Sequence, residues 1–272
     1  MRIGFLTNCF RDTALSEITD WAVAEGFDFL EIGGATRVTE QELADAADGI
    51  PLIAMTFCRN CLDQDPRRRN AILAGIQWRI EVAGRLGIPF VTTATGYDPS
   101  QSLQWNLTAA AAQFGCWLKL AAALGVTICI ENCPGTGNFG VTPHTWQLFF
   151  DACGTDNLKL CYDPSHLVKL LVDVYQAARE FAPRIGYVHV KDCALIHEVL
   201  AREGMWGNDR YWQHRIPGDG EIDWPRLLGI MREAGFDGDL SIEHEDPRYE
   251  QSITQVKEAL LRSRDVIVAA LQ

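Results

Sequence analysis

The chain has 272 residues, of which 47% are hydrophobic and 22% charged, and its formal net charge is -12. These values suit one large α/β domain, and no apolar run approaches the roughly 20 residues that span a membrane. A protein that binds nucleic acid through phosphates usually carries the opposite charge, so we expect a cytoplasmic enzyme for a small molecule, without nucleic-acid or membrane partners.

In chain order, the sequence repeats one unit eight times: a short apolar run, a loop and an amphipathic stretch. The predicted strands are 3–8, 27–33, 51–57, 89–96, 126–132, 158–166, 185–192 and 240–245. The predicted helices are 14–25, 39–47, 66–86, 102–123, 143–152, 166–181, 224–234 and 251–270. Asp223, before Trp224 and Pro225, is the expected N-cap of the seventh helix.

Eight such units in this length predict a single-domain (β/α)8 TIM barrel over residues 1–272. A doubly wound sheet is disfavoured, because no glycine-rich turn follows the first strand. The segment 193–222, after the seventh strand, is too long for a simple connection. We therefore predict an extended loop there that acts as a lid.

The nine cysteines are an odd number, scattered from Cys9 to Cys193, and several lie in apolar runs. This placement favours reduced thiols over a disulfide framework. The short pair Cys58 and Cys61 has no second pair with which to build a zinc ribbon. Its role is not assigned.

The alternation of side chains along a strand predicts which polar residues face the barrel interior. Four of them stand near the carboxyl ends of strands five to eight: Glu131, Asp163, His189 and Glu243. TIM barrels place their chemistry at this end. Three inward carboxylates would repel one another without a cation, so the pattern predicts a divalent metal. Carboxylates with one histidine suit Mn²⁺, with Co²⁺, Mg²⁺ or Zn²⁺ as alternatives.

The second half of the chain resembles the xylose isomerase-like sugar phosphate isomerase/epimerase superfamily. That superfamily includes tagatose and psicose 3-epimerases, hydroxypyruvate isomerases, inosose dehydratases and endonuclease IV. The matching segments are Ile130-Glu131-Asn132, Asp163-Pro164-Ser165-His166, His189-Val190-Lys191-Asp192, Pro217 to Trp224 and Ile242-Glu243. Together they are specific for the superfamily and for no single activity within it.

The resemblance implies that Glu131, Asp163, His189 and Glu243 bind one metal, and that Glu131 and Glu243 act as an acid/base pair. The expected reaction moves a proton alpha to a carbonyl through an enediolate that the metal stabilises. Proton return to the opposite face gives epimerisation, and return to the neighbouring carbon gives isomerisation. The substrate would be a ketose or keto-sugar, and the family often forms dimers or tetramers.

Seven further residues are candidates for substrate binding: Asn132, His166, Lys191, Trp206, Trp212, His214 and Arg215. In the family, the histidine three residues after the metal-binding aspartate reaches a substrate oxygen, which implicates His166. Lys191 either holds a substrate oxygen or pairs with Asp192 at the surface. An arginine of the epimerases corresponds here to Arg215 or, with a one-residue shift, to His214. Trp206, Tyr211 and Trp212 either stack on a sugar or pack the insertion onto the barrel.

Three other functions stay open. The same enolate chemistry serves a dehydratase or lyase that acts on an inosose or a keto-sugar. A nuclease of the endonuclease IV type would need about three metals and more histidines, whereas strands two to four supply only Glu31. A non-catalytic sugar-binding subunit is the last alternative.

Overall fold

Eight parallel strands close into a barrel in the computed structural model, which describes residues 1–135 and 137–272. The strands, in chain order, are β1 (Ile3–Leu6), β2 (Leu30–Ile32), β3 (Leu52–Thr56), β4 (Phe90–Thr93), β5 (Thr127–Glu131), β6 (Leu158–Tyr162), β7 (Ile185–Val190), β8 (Asp192–Leu195), β9 (Trp212–Arg215) and β10 (Asp239–Ile242). The barrel order is β1-β10-β7-β6-β5-β4-β3-β2, and β8 and β9 form a separate antiparallel pair. The predicted (β/α)8 TIM barrel is confirmed.

Helices lie between the strands along the chain. They are α1 (Leu15–Ala24), α2 (Glu40–Gly49), α3 (Pro66–Leu86), α4 (Leu103–Ala123), α5 (Pro143–Cys153), α6 (Pro164–Lys169), α7 (Val174–Phe181), α8 (His197–Glu203), α9 (Trp224–Glu233) and α10 (Ile253–Ala270). Asp223 caps α9, as predicted, by accepting a hydrogen bond from the backbone N–H of Arg226. In the part of the chain that the structure describes, no helix is both long enough and apolar enough to cross a membrane.

Two separate apolar layers pack against the sheet. The larger lies between the sheet and the helices, and the smaller fills the barrel interior with Phe29, Ile53, Ala54, Cys129, Cys161 and Tyr187. Glycine makes room for this filling: a Cβ on Gly4 would lie 2.4 Å from the Phe29 ring, and one on Gly186 would lie 2.8 Å from Cys129 Sγ. The interior is therefore a packed floor, and the polar residues at the carboxyl ends of the strands stand above it.

The predicted sixth helix, 166–181, is in fact two helices. Asp163 caps α6 by accepting hydrogen bonds from the backbone N–H and hydroxyl of Ser165, and Asp173 caps α7. Between the two helices, Leu171 has a φ of 56°, a left-handed conformation that ends a helix. His166 and Lys169 consequently lie on a short helix that starts directly at the barrel mouth.

The insertion after β7 contains an antiparallel hairpin, where the sequence predicted only a long loop. Its strands β8 and β9 enclose helix α8, and Asp192, the first residue of β8, is completely buried. The Asp192 carboxylate accepts hydrogen bonds from the indole N–H of Trp224 and from three backbone N–H groups, those of Cys193, Gly218 and Ile222. One buried carboxylate thus ties both ends of the insertion together. Whether the segment moves as a lid stays a prediction.

Replacing Gly220 with alanine should destabilise this part of the fold. Its Cβ would lie 2.2 Å from Asp192 Oδ1 and 2.7 Å from the Cys193 carbonyl oxygen. We expect Gly220→Ala to lower the free energy of unfolding by about 1–3 kcal/mol, as measured by urea denaturation. The control is Gly229→Ala in α9, where a Cβ meets nothing within 4 Å and where we expect a gain of about 0.5–1 kcal/mol. Equal stability of the two variants would contradict the packing argument.

Candidate active site

Glu131, Asp163, His189 and Glu243 converge at the carboxyl end of the barrel. Glu131 ends β5, Asp163 follows β6, His189 lies in β7 and Glu243 follows β10. Each contributes one donor atom to a group whose atoms all lie within 4.8 Å of one another. Asp163 and His189 are fully buried, Glu131 is 4% exposed, and the Glu243 side chain is 11% exposed. The predicted quartet is therefore one cluster.

The His189 ring is held between two sets of carboxylates. Its Nε2 lies 3.1 Å from each oxygen of Glu31, which is also fully buried. Its Nδ1 lies 3.1 Å from Glu243 Oε2 and 3.4 Å from Glu131 Oε1, without a hydrogen bond to either. Burial would lower the pKa of His189, but neighbouring groups that include Glu31 and Glu243 hold it well above its usual value. In the neutral form of the ring, with Nε2–H donated to Glu31, the lone pair of Nδ1 would face the quartet.

Glu31 is the residue that orients His189. Its carboxylate also accepts hydrogen bonds from Tyr187, Ser241 and Thr56. Burial alone would raise the pKa of Glu31, but the charge of His189 and these hydrogen bonds lower it instead. A carboxylate behind a metal-binding histidine fixes the ring and raises its basicity.

The quartet fits a divalent metal by its own chemistry. His189 Nδ1 is a buried atom of the donor group without a hydrogen bond, and Asp163 Oδ2 has only the ion-pair contacts with Lys191 and His166. Buried polar atoms are rarely left so unless an ion or water satisfies them. Glu131, Asp163, His189 and Glu243 could therefore hold a metal such as Mn²⁺, whose ligands are typically carboxylates and imidazole.

Lys191 lies inside this cluster and does not pair with Asp192. Its Nζ is 2.7 Å from Glu243, 2.8 Å from Glu245 and 3.0 Å from Asp163. The surface ion pair with Asp192 is thus wrong, because Asp192 turns the opposite way to organise the insertion. Burial would lower the pKa of Lys191, but the surrounding carboxylates hold it well above its usual value.

The pKa values of the two glutamates of the quartet shift in opposite directions. Burial raises the pKa of Glu243 to about 7, since it outweighs the attraction of Lys191 and His189. Burial acts in the same direction on Glu131, but the neighbouring imidazoles of His166 and His189 hold its pKa well below the usual range. Carboxyl groups whose environments separate their pKa values are typical of acid/base pairs.

The remaining predicted residues divide into two groups. His166 and His214 line the pocket, and His166 Nε2 lies 3.2 Å from Asp163 Oδ2. Trp212 does not itself line the pocket, but its ring lies beside His214, with 4.8 Å between the ring centroids. Asn132, Arg215 and Trp206 form the second group, and they have different contacts.

Asn132, Arg215 and Trp206 do not line the described pocket. The Asn132 side chain donates to the Asp163 carbonyl oxygen and accepts from the Asp163 N–H, so it positions a ligand residue. The Arg215 guanidinium lies 3.6 Å from Asp246 and donates to the His214 carbonyl oxygen. Trp206 is 95% exposed. The structure therefore does not place these three side chains in position to contact a substrate in this pocket.

The pocket above the quartet has a volume of about 260 Å³ and includes side chains that the sequence analysis did not assign to the site. Lys169 and Arg59 add cations, and Cys58 donates a hydrogen bond to Glu131 Oε2 at 2.9 Å. Cys133 also lines the pocket. Only their position in the sequence could have indicated these residues. Cys58 and Arg59 follow β3, and Cys133 follows β5, at the end of the barrel where such folds carry their active sites.

The family described as Xylose isomerase-like TIM barrel matches residues 19–266. The chain belongs to this family. Within the family, it is 24% identical over 254 residues to an inosose isomerase of Bacillus velezensis, covering 86% of each chain. It is 28% identical over 169 residues to an inosose dehydratase of Clostridium botulinum, covering 60% of this chain and 54% of the relative.

Solved structures of family-like barrels superpose along the whole chain. A zinc-containing IolI protein has a TM-score of 0.80 at 18% identity, with 99% of this chain and 98% of the other covered. A D-psicose 3-epimerase from Clostridium cellulolyticum has a TM-score of 0.78 at 17% identity, with both chains fully covered. At these identities the likeness establishes the fold.

Replacing Glu31 with glutamine should weaken metal binding, because the amide group cannot accept all the hydrogen bonds that now orient His189. We expect a 10- to 100-fold loss of Mn²⁺ affinity, measured by titration calorimetry. Glu25→Gln on the exposed surface is the matched control and should bind Mn²⁺ normally. Unchanged affinity in a folded Glu31→Gln protein would show that Glu31 does not position the histidine.

Proposed function

We propose that this protein is a divalent-metal-dependent isomerase or epimerase that moves a proton alpha to the carbonyl of a ketose or keto-sugar. The observation that carries the proposal is that two glutamates, Glu131 and Glu243, lie 3.4 Å and 3.1 Å from the same atom, His189 Nδ1. A pocket large enough for a small sugar opens above them. The names of the isomerase and epimerase relatives support the same chemistry.

Glu131, Asp163, His189 and Glu243 would hold the metal, and we propose Mn²⁺. When bound, such an ion supplies a Lewis acid that polarises a carbonyl oxygen and stabilises the negative charge that develops there. Because the similar IolI structure is named for a bound zinc atom, the metal content of this protein should be measured directly.

The proton transfer itself is assigned to the two glutamates. One carboxylate removes the proton from the carbon next to the carbonyl, and the other returns a proton. Return to the opposite face of the same carbon inverts it, and return to the former carbonyl carbon exchanges aldose and ketose. A positioned general base contributes on the order of 10²–10⁴ in rate.

His166 and Lys191 are the proposed contacts for substrate oxygens. His166 Nε2 lies 3.4 Å from Lys191 Nζ, so the two groups can hold neighbouring hydroxyl or carbonyl oxygens. His214 stands next to His166 on the pocket wall. We further propose that the protein works in the cytoplasm as one barrel domain and, like many members of the family, assembles into a dimer or tetramer.

The second candidate function is a dehydratase or lyase. The similarity to inosose dehydratases favours it. Removal of the same proton would then be followed by loss of a β-hydroxyl as water, with the second glutamate as the acid that protonates the leaving oxygen.

Proton exchange tests the proposal. We expect the Mn²⁺-loaded protein, incubated with a panel of ketoses and inososes in D₂O, to introduce deuterium at the carbon alpha to the carbonyl. NMR detects the exchange, and loss of water in the same spectra distinguishes the dehydratase. A protein shown to contain Mn²⁺ that exchanges no proton with any keto-sugar or inosose would refute the proposed chemistry.

The paired glutamates are tested by Glu131→Gln and Glu243→Gln. Each change removes the proton acceptor while keeping the side-chain shape, and we expect deuterium incorporation to fall by about 10²–10⁴-fold. Metal content is measured in parallel, because both residues are also proposed ligands. Glu233→Gln, on the exposed side of α9, is the control and should exchange at the normal rate. Normal exchange in both active-site variants would remove these residues from the mechanism.

A further inference from the structure

Lys169 is a buried cation on the wall of the pocket with no counter-charge. The residue is only 8% exposed and lines the same cavity as Glu131 and Glu243. Within the described residues, its Nζ has neither a hydrogen bond nor a carboxylate within 4.0 Å. Its contact is the Trp212 ring, 4.4 Å from Nζ to the centroid. A lysine with so little exposed surface usually has an anionic partner.

The second lysine of the pocket has the opposite surroundings. Three carboxylates surround Lys191, as described above, and the half-exposed Glu245 is one of them. Burial and the positive charge of Lys191 both lower the pKa of Lys169. Lys191 is thus compensated by direct ion pairs, whereas the direct contact of the Lys169 ammonium group is an aromatic face, and Asp163 and Glu245 act on it only from a longer distance.

The position of Lys169 is fixed by the fold. It is the last residue of α6, the helix that Asp163 caps, so it belongs to the same rigid element as a proposed metal ligand. The Tyr211 hydroxyl donates a hydrogen bond to the Lys169 carbonyl oxygen, which anchors α6 to the insertion. Trp212, the next residue, begins β9 and supplies the ring against the ammonium group. The insertion therefore builds this part of the pocket.

The groups next to Lys169 do not supply a direct negative partner. His214 lies beside Trp212, and burial together with Lys191 lowers its pKa to about 3, so it is neutral near pH 7. The carboxylate of Glu245 is bound to Lys191. The exposed Arg59 adds a further positive charge to the cavity lining. An anionic group would be stabilised here by charge, and a neutral hydroxyl would gain less.

We propose that Lys169 binds a carboxylate of the substrate, and that the substrate is therefore a hydroxylated keto acid rather than a neutral sugar. This inference rests on the proposed function, since it names the substrate class of the same site. A monoanion matches one ammonium group flanked by an aromatic ring and a neutral imidazole. Phosphate sites typically combine several donors, such as an arginine fork or the amides of a helix N-terminus, and Lys169 stands at the end of its helix.

Binding of matched polyols tests the proposal. Gluconate, sorbitol and sorbitol 6-phosphate share a hydroxylated chain and differ in the terminal group. We expect calorimetry with the Mn²⁺-loaded protein to show the tightest binding for gluconate. Lys169→Met should weaken gluconate about 10- to 100-fold and leave sorbitol unchanged, because it removes a charge-assisted contact and keeps the side-chain length.

Two controls separate this contact from the metal. Carboxylates bind metals directly, so the effect is read as the difference between variants, with metal content measured for each. Lys169→Arg keeps the charge and should retain most of the gluconate affinity. Lys119→Met, on the exposed surface of α4, should bind all three probes normally.

The result that overturns the inference is distinct from failure of the proposed function. If folded, metal-loaded Lys169→Met binds gluconate as tightly as the original protein, or if sorbitol 6-phosphate depends on Lys169 more than gluconate does, the carboxylate subsite is wrong. Proton exchange in D₂O can still succeed in that case. If exchange is absent with keto acids and with neutral sugars alike, the proposed function fails, whatever the binding result.

Discussion

The structure depends on a concentration of negative charge around one histidine. Glu31, Glu131 and Glu243 all lie within 3.4 Å of the His189 ring nitrogens, and Asp163 completes the cluster. Anions this close repel one another in a low-dielectric interior unless cations separate them. Lys191 and His189 supply part of that charge, and the geometry of the quartet leaves room for a divalent ion to supply more. Both the metal proposal and the paired-glutamate chemistry follow from this constraint.

The barrel makes the arrangement possible by dividing its interior into two levels. Below, Phe29, Tyr187 and smaller residues form a packed floor. Above it, the strands end in polar side chains that share one pocket. Tyr187 connects the levels, since its hydroxyl donates to Glu31 while its ring belongs to the floor. A rigid apolar base holds the charged residues at fixed separations, which is what acid/base chemistry requires.

The residues shared with the family and the residues that would select a substrate come from different parts of the fold. The metal quartet comes from barrel strands, whose geometry the fold imposes. Lys169, His214 and Trp212 come instead from α6 and the hairpin of the insertion, parts outside the strand framework. Substrate choice in such barrels is made by the segments that follow the strands. The unpaired charge of Lys169 is therefore more informative about the substrate than the quartet.

The sequence by itself determined the eight-unit barrel and the four residues that converge at its carboxyl end. Both follow from local rules: apolar runs mark strands, and side-chain alternation places Glu131, Asp163, His189 and Glu243 inside. The resemblance to the family implicated His166 in substrate binding, and the side-chain alternation that places His189 inward did the same for Lys191, as one of two alternatives.

Only the tertiary structure decided the rest, because those contacts join distant segments. Glu31 lies 158 positions from His189, and no local pattern pairs them. Asp192 follows Lys191 directly, yet the strand places the two on opposite sides, so their apparent ion pair does not form. The left-handed Leu171 splits a helix that looks continuous and brings Lys169 to the pocket. The charge around a side chain depends on all of its neighbours in space, and most of these neighbours are distant in the sequence.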